Sequence, residues 1–114
     1  MLAKEYRINS SRDYNNIYKN GKKVSGRYII VYILDNECGF NRYGVVTSKK
    51  IGNAVVRNKV KRQLRSIIKG NFDNVKTSHD IVIVGRYKIS GVKYDLLNKD
   101  FMIVMRKSGL WYEK

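Results

Sequence analysis

The stretch SKKIGNAVVRNKVKRQLR (48–65) holds seven cations in eighteen residues and no acid. From Ala54 onward it reads as a helix with two unlike sides when each residue is placed at 100° steps. Val56, Val60, Leu64, Ile67 and Ile68 fall within a sector of about 120°, a stripe suited to a core. Asn58, Lys59, Lys61, Arg62 and Arg65 lie opposite, with Arg57 at the border. Asn53 is placed to cap the helix, which is expected to run to Lys69. Arg57–Lys61 and Lys61–Arg65 are like-charge pairs at i, i+4, and Arg62–Arg65 is another at i, i+3. Each such pair costs a few tenths of a kcal/mol in an isolated helix. Arg57 and Lys59 also sit where the helix dipole disfavours cations.

A solvated face of mixed charge has no such conflict. A single-signed face rich in arginine is better explained by a polyanion, whose phosphates remove the repulsion while counterions are released. Arg57, Arg62 and Arg65 can each fork onto a phosphate, and Asn58 can pair with a base edge or cap a turn. Lys49 and Lys50 open a tight lead-in, KKIGN (49–53), after which the helix amides face any bound phosphate. A membrane surface fits less well, because the apolar stripe is needed by the core.

Outward from this helix, RYGVVTS (42–48) reads as a strand and DNECGFN (35–41) as a turn. RYIIVYIL (27–34), β-branched and aromatic, reads as a longer strand, with RYGVVTS antiparallel to it. Its Tyr28, Ile30, Tyr32 and Leu34 share one face and Ile29, Val31 and Ile33 the other, and either face can be core. KKVSG (22–26) gives a weak edge-strand signal. Ser10 or Ser11 caps a first helix that carries Tyr14, Ile17 and Tyr18 on one face and stops at Gly21. NFDNVKTSHD (71–80) is expected to be loop, with His79 in a structural or idle role. IVIVGRY (81–87) follows as a buried strand, and Lys93 to Lys107 as a last helix with Tyr94, Leu97, Phe101 and Val104 on one stripe. The pattern predicts an α+β fold, an α/β sandwich in which helices pack a small mixed sheet in the order α-β-β-(β)-α-β-α. If the strands flanking the basic helix are parallel neighbours, the general rule favours a right-handed crossover.

The chain of 114 residues is expected to form one domain, 1–114. Its net charge is +15, and residues 38–72 contribute nine cations and no acid. Cys38 is the only cysteine, so no intrachain disulfide forms. With no visible signal peptide and no long apolar run, a cytoplasmic location is expected. One histidine and one cysteine make no zinc site, and the nine acids are scattered rather than clustered as a metal-dependent nuclease needs. No nucleophile–base arrangement is available either. The residues describe a binder without its own catalytic group. They leave open a ribosomal or other structural RNA-binding protein, and a DNA-binding protein.

The stretch 48–65 resembles the signature of the bacterial ribonuclease P protein component, a basic "RNR" helix followed by "KR..LR". Here it stands as Arg57-Asn58-Lys59, Lys61-Arg62 and Leu64-Arg65. SRDYNNIYKNGK (11–22) resembles the family's first helix, with two aromatics four apart after an acid and a closing Gly. RYIIVYILD (27–35) resembles its first long strand, HDIVIVGR (79–86) its last, and RKSGL (106–110) the end of its last helix. Two departures are Lys59 in place of Arg, and the absence of a proline after the last strand in GRYK (85–88).

The resemblance implies a left-handed βαβ crossover carrying the basic helix, against the general rule. It implies the protein subunit of a ribonucleoprotein endonuclease, whose RNA subunit uses Mg²⁺ to cut the 5′ leader from precursor tRNA. The protein itself would bind no cofactor or metal and need no obligate protein partner. Carried over by match, Tyr14, Tyr18 and Tyr32 line a cleft for the single-stranded leader, bordered by Arg57 and Lys61. Arg57, Asn58, Lys59, Lys61, Arg62 and Arg65, with Lys49 and Lys50, form the RNA-binding surface.

Overall fold

The structure, a computed structural model, describes residues 3–112. Three helices and four strands follow one another as α1 (Ser11–Asn20), β1 (Lys22–Ser25), β2 (Ile29–Asp35), β3 (Arg42–Val46), α2 (Ala54–Gly70), β4 (His79–Gly85) and α3 (Tyr94–Ser108). This is the mixed α+β fold expected, and the weak signal at 22–26 corresponds to a real edge strand. Short 3-10 turns precede α1, α2 and α3 and follow α2.

The helix ends follow local chemistry. The Asp13 N–H donates to Ser10 Oγ at 3.1 Å, and the Val56 N–H donates to Asn53 Oδ1 at 3.1 Å. Each satisfies one amide left over in a first helical turn. Gly109 ends α3 in the left-handed region at φ 81°, where a Cβ would be strained.

The sheet order is β1-β2-β4-β3. β2 pairs antiparallel with both β1 and β4, whereas β3 pairs with β4 in parallel. RYGVVTS therefore runs opposite to the first long strand, as expected, but does not pair with it: β4 lies between them. His79 is also corrected, because it opens β4 instead of lying in a loop. Its Nε2 lies 3.3 Å from Asp35 Oδ1 across the β2–β4 pairing. At the other end β4 stops at Gly85, and Tyr87 is exposed in the turn that follows.

Ile29, Val31 and Ile33 of β2 face the main core, closed by Val60, Leu64, Ile67 and Ile68 of α2 and by Leu97, Phe101, Val104 and Met105 of α3. Tyr94, expected on that stripe, is exposed instead. A smaller cluster on the opposite face joins Ile17 of α1 to Val82 of β4. The sheet is thus covered on one side by α2 and α3, and partly on the other by α1. Asp100 is buried in α3 and accepts the N–H groups of Arg27, Tyr28 and Ile29 at 2.9, 2.8 and 3.2 Å. One carboxylate thereby ties α3 to the start of β2.

Candidate nucleic-acid interface

The partly covered face has a regular order fixed by strand register. Lys23, Tyr32, Val82 and Gly44 form one row across β1, β2, β4 and β3. The next row is Ser25, Ile30, Val84 and Val46. α1 lies over the first row. The ring of Tyr14 sits against Gly44, where a Cβ would come within 2.8 Å of Cε1 and Cζ. Ile17 packs in the cluster with Val82, and the Tyr18 ring meets Tyr32 edge-on with centroids 4.9 Å apart. Tyr14 and Tyr18 are 6.3 Å apart, so the three phenols form a continuous group. Ile30, Val84 and Val46 remain half-buried beside them as an apolar floor.

The first turn of α1 meets β3 through an ion pair. Arg42 donates to both oxygens of buried Asp80, at 2.9 and 2.6 Å, and its guanidinium lies 3.5 Å from Asp13. The hydrogen bond to Asp80 pushes the Arg42 pKa up, against the opposing effect of burial. Asn36 gives Asp80 a further hydrogen bond at 2.8 Å. Arg42 is the one cation of residues 38–72 with an acidic partner within 4.0 Å among the described residues.

The basic helix divides more finely than its sequence suggests. Asn58, Lys59 and Arg62 are exposed, as are Lys49 and Lys50 in the preceding turn. Arg57, Lys61 and Arg65 are half-buried and climb one flank of α2 at successive turns. Arg65 is the member that reaches the tyrosines. It lines a cavity of about 100 Å³ with Arg7, Ile8, Tyr14, Tyr43 and Gly44. Burial raises the pKa of the Tyr14 phenol, and the nearby Arg65 charge acts the other way. Burial, with Tyr14 and Tyr32 beside it, raises Tyr18. Among the described residues no cation–ring contact joins Arg57 or Lys61 to these phenols. Their expected place at the cleft border is a shared flank with Arg65 rather than a contact.

Several parts of this surface escape a reading by residue type. The floor residues Ile30, Val46 and Val84 come from three strands, and only the register brings them together. Arg7 reaches the site through a single parallel bridge to Tyr43, outside any regular strand. Among the described residues no group of three or more His, Cys, Asp or Glu is arranged to hold a metal, and no helix is long and apolar enough to cross a membrane.

The resulting surface is a row of aromatic rings over an apolar floor, with a cationic helix flank at one end. It has the ingredients of a single-strand binding platform, in which bases stack on rings and phosphates meet the charges.

Comparisons with known proteins agree in sequence and in structure. The ribonuclease P family profile matches residues 2–109. A ribonuclease P protein component of Syntrophomonas wolfei is 45% identical over 111 residues, covering 97% of this chain and 93% of the relative. A Staphylococcus aureus RNase P protein, a mutant with defective mRNA degradation activity, superposes with a TM-score of 0.88 at 31% identity, covering 95% of this chain and 92% of that one. The RNase P protein of Thermotoga maritima gives 0.83 at 30% identity, over 89% and 96% of the two chains. With nearly the whole chain matched on both counts, this protein belongs to the ribonuclease P protein family.

Proposed function

We propose that this chain holds the single-stranded 5′ leader of precursor tRNA on its tyrosine face while α2 docks on the catalytic RNA of ribonuclease P. Membership of the family makes the chain a ribonuclease P protein component, with a role in an endoribonuclease complex that processes tRNA. The observation that carries the finer reading is the continuity of Tyr14, Tyr18 and Tyr32 with Arg65. It supports a path on which stacked bases lead toward the RNA-binding helix. Stacking is tolerant of sequence, which suits a protein that must accept many leaders.

In this reading the exposed Asn58, Lys59 and Arg62, with Lys49 and Lys50, meet the RNA subunit. Arg57, Lys61 and Arg65 stand between that RNA and the leader. The chain supplies binding and orientation, and the RNA subunit supplies the chemistry with Mg²⁺. Such a complex would work in the cytoplasm, without a membrane or an obligate protein partner.

The test is paired binding of precursor and mature tRNA to the reconstituted holoenzyme. Tyr18→Ala or Tyr32→Ala should weaken precursor binding by about 1–3 kcal/mol and leave mature tRNA, which has no leader, unchanged. Tyr→Phe at either position should do less, since the ring remains. Equal losses for both ligands would place these rings in the core and not in a leader site.

A further inference from the structure

The tyrosine row does not end at Tyr32. Its next member, across the last pair of strands, is Lys23 on the edge strand β1. Directly opposed residues of an antiparallel pair share a face, with Cβ atoms about 4.5–5.5 Å apart. The Lys23 ammonium therefore stands on the tyrosine face, exposed, at the end opposite Arg65. The only acid in the strands on that face is Asp80, which is already held by Arg42 and Asn36. The aromatic platform is thus bounded by a cation at each end.

We propose that Lys23 binds backbone phosphate of the leader, extending the leader site to the far edge of the sheet. This rests on the reading of the tyrosine face given above and adds a second phosphate contact to it. Four strands at about 4.8 Å spacing put roughly 14 Å between the Lys23 and Gly44 columns. Stacked nucleotides advance about 3.4 Å each, so the open row beside the tyrosines, from Ser25 through Ile30 and Val84 to Val46, spans up to about four of them. The α2 end lies beside the RNA subunit in that reading, so the nucleotides nearest the cleavage point lie there. Lys23 then meets the chain several nucleotides upstream, and a short leader does not reach it.

The bland role for a lysine on an edge strand is to block pairing with another sheet. Lys22 provides the control. It neighbours Lys23 on the same edge and is equally exposed, but its partner Ile33 belongs to the opposite face, toward the main core. Edge protection predicts similar consequences for both lysines. A phosphate contact predicts a difference.

The experiment compares wild type, Lys22→Gln, Lys23→Gln and Tyr32→Ala in reconstituted holoenzyme. The ligands are precursor tRNAs with leaders of two and ten nucleotides, and mature tRNA, each over a range of salt. Lys23→Gln should weaken binding of the ten-nucleotide leader about two- to fivefold at moderate salt. It should lower the log–log salt slope by about 0.7, the value for one single-strand phosphate. The two-nucleotide leader, mature tRNA and Lys22→Gln should be unaffected. If Lys23→Gln binds both leaders like wild type while Tyr32→Ala still loses precursor affinity, this inference fails and the leader site stands. If Tyr32→Ala also loses nothing, the leader site itself is refuted. Equal effects of Lys22→Gln and Lys23→Gln, or self-association of both by sedimentation with unchanged affinity, would assign Lys23 to edge protection and overturn the proposal.

Discussion

Gly44→Ala should separate the position of the Tyr14 ring from its presence. The added methyl would come within 2.8 Å of Tyr14 Cε1 and Cζ, far inside van der Waals contact. Gly44 does not have a positive φ, so alanine is allowed at this backbone. What must give is the end of a half-buried side chain, which can swing toward solvent. A strand alanine also recovers roughly 0.5–1 kcal/mol of the entropic penalty that glycine carries. The net stability change should therefore stay within about 1 kcal/mol of zero. Stacking of a base on a ring is worth about 1–3 kcal/mol. A displaced ring should lose part of that, about 1–2 kcal/mol, or roughly 5- to 30-fold in precursor affinity. The assay is a double-mutant cycle of Gly44→Ala and Tyr14→Ala, reading precursor and mature tRNA binding beside a denaturant titration. Once Tyr14 is alanine, the extra methyl should have no further effect on precursor binding. An equal loss in both backgrounds would show that Gly44 acts through the strand, and an unchanged affinity would show that Tyr14 does not touch the leader.

Replacing Arg62 and Arg65 together by Ala should weaken binding of the RNA subunit and lower its salt slope by roughly 0.7–0.9 per lost phosphate contact, with folding retained because both lie outside the buried stripe; an unchanged slope would mean a merely solvated face. Burial pushes the Tyr43 phenol up to about 12, against a weaker opposing hydrogen bond from Asn41. The folded state then holds this proton more tightly than the unfolded state, so its stabilising effect is complete below pH 10 and is lost as pH rises from 10 to 12, by at most about 3 kcal/mol. Tyr43→Phe should flatten that part of a stability–pH curve, and an identical curve would refute the assignment. Asp100→Ala should cost about 3 kcal/mol or more in urea unfolding by stranding three amides, and Asp100→Asn should cost less because an acceptor oxygen remains.

The helices were legible because their signals are local. Ser10 and Asn53 announce α1 and α2, Gly109 ends α3, and the stripe Val56, Val60, Leu64 marks the buried side of α2. The tyrosine group was half legible: Tyr14 and Tyr18 share a helix face by spacing, but nothing local joins them to Tyr32. The sheet order was not legible. Alternation along β2 sorts its side chains into two faces without saying which is core, or whether β3 or β4 lies alongside. The parallel pairing of Arg42 with Asp80 spans 38 positions, and residue type carries no trace of it. Asp80 and Asp100 read as two scattered acids, although both are buried and organise backbone or arginine around them. The floor of Ile30, Val84 and Val46 follows only once the order β2-β4-β3 is known.

That order also affects how the chain acquires its shape. β4 is central, and β3 has no regular strand partner other than β4. Until residues 79–85 join, the only sheet available is the β1–β2 hairpin, which is marginal by itself. Residues 1–78 carry 17 of the 24 cations but only five of the nine acids, so the early chain is strongly self-repelling. α2 is complete in sequence before β4 arrives, yet its apolar stripe has no finished sheet to lie on. Folding is therefore expected to be late and all-or-none, governed by non-local closure around one strand. A chain broken between α2 and β4 leaves the basic helix intact in sequence but with no rigid surface to hold its charges on one side.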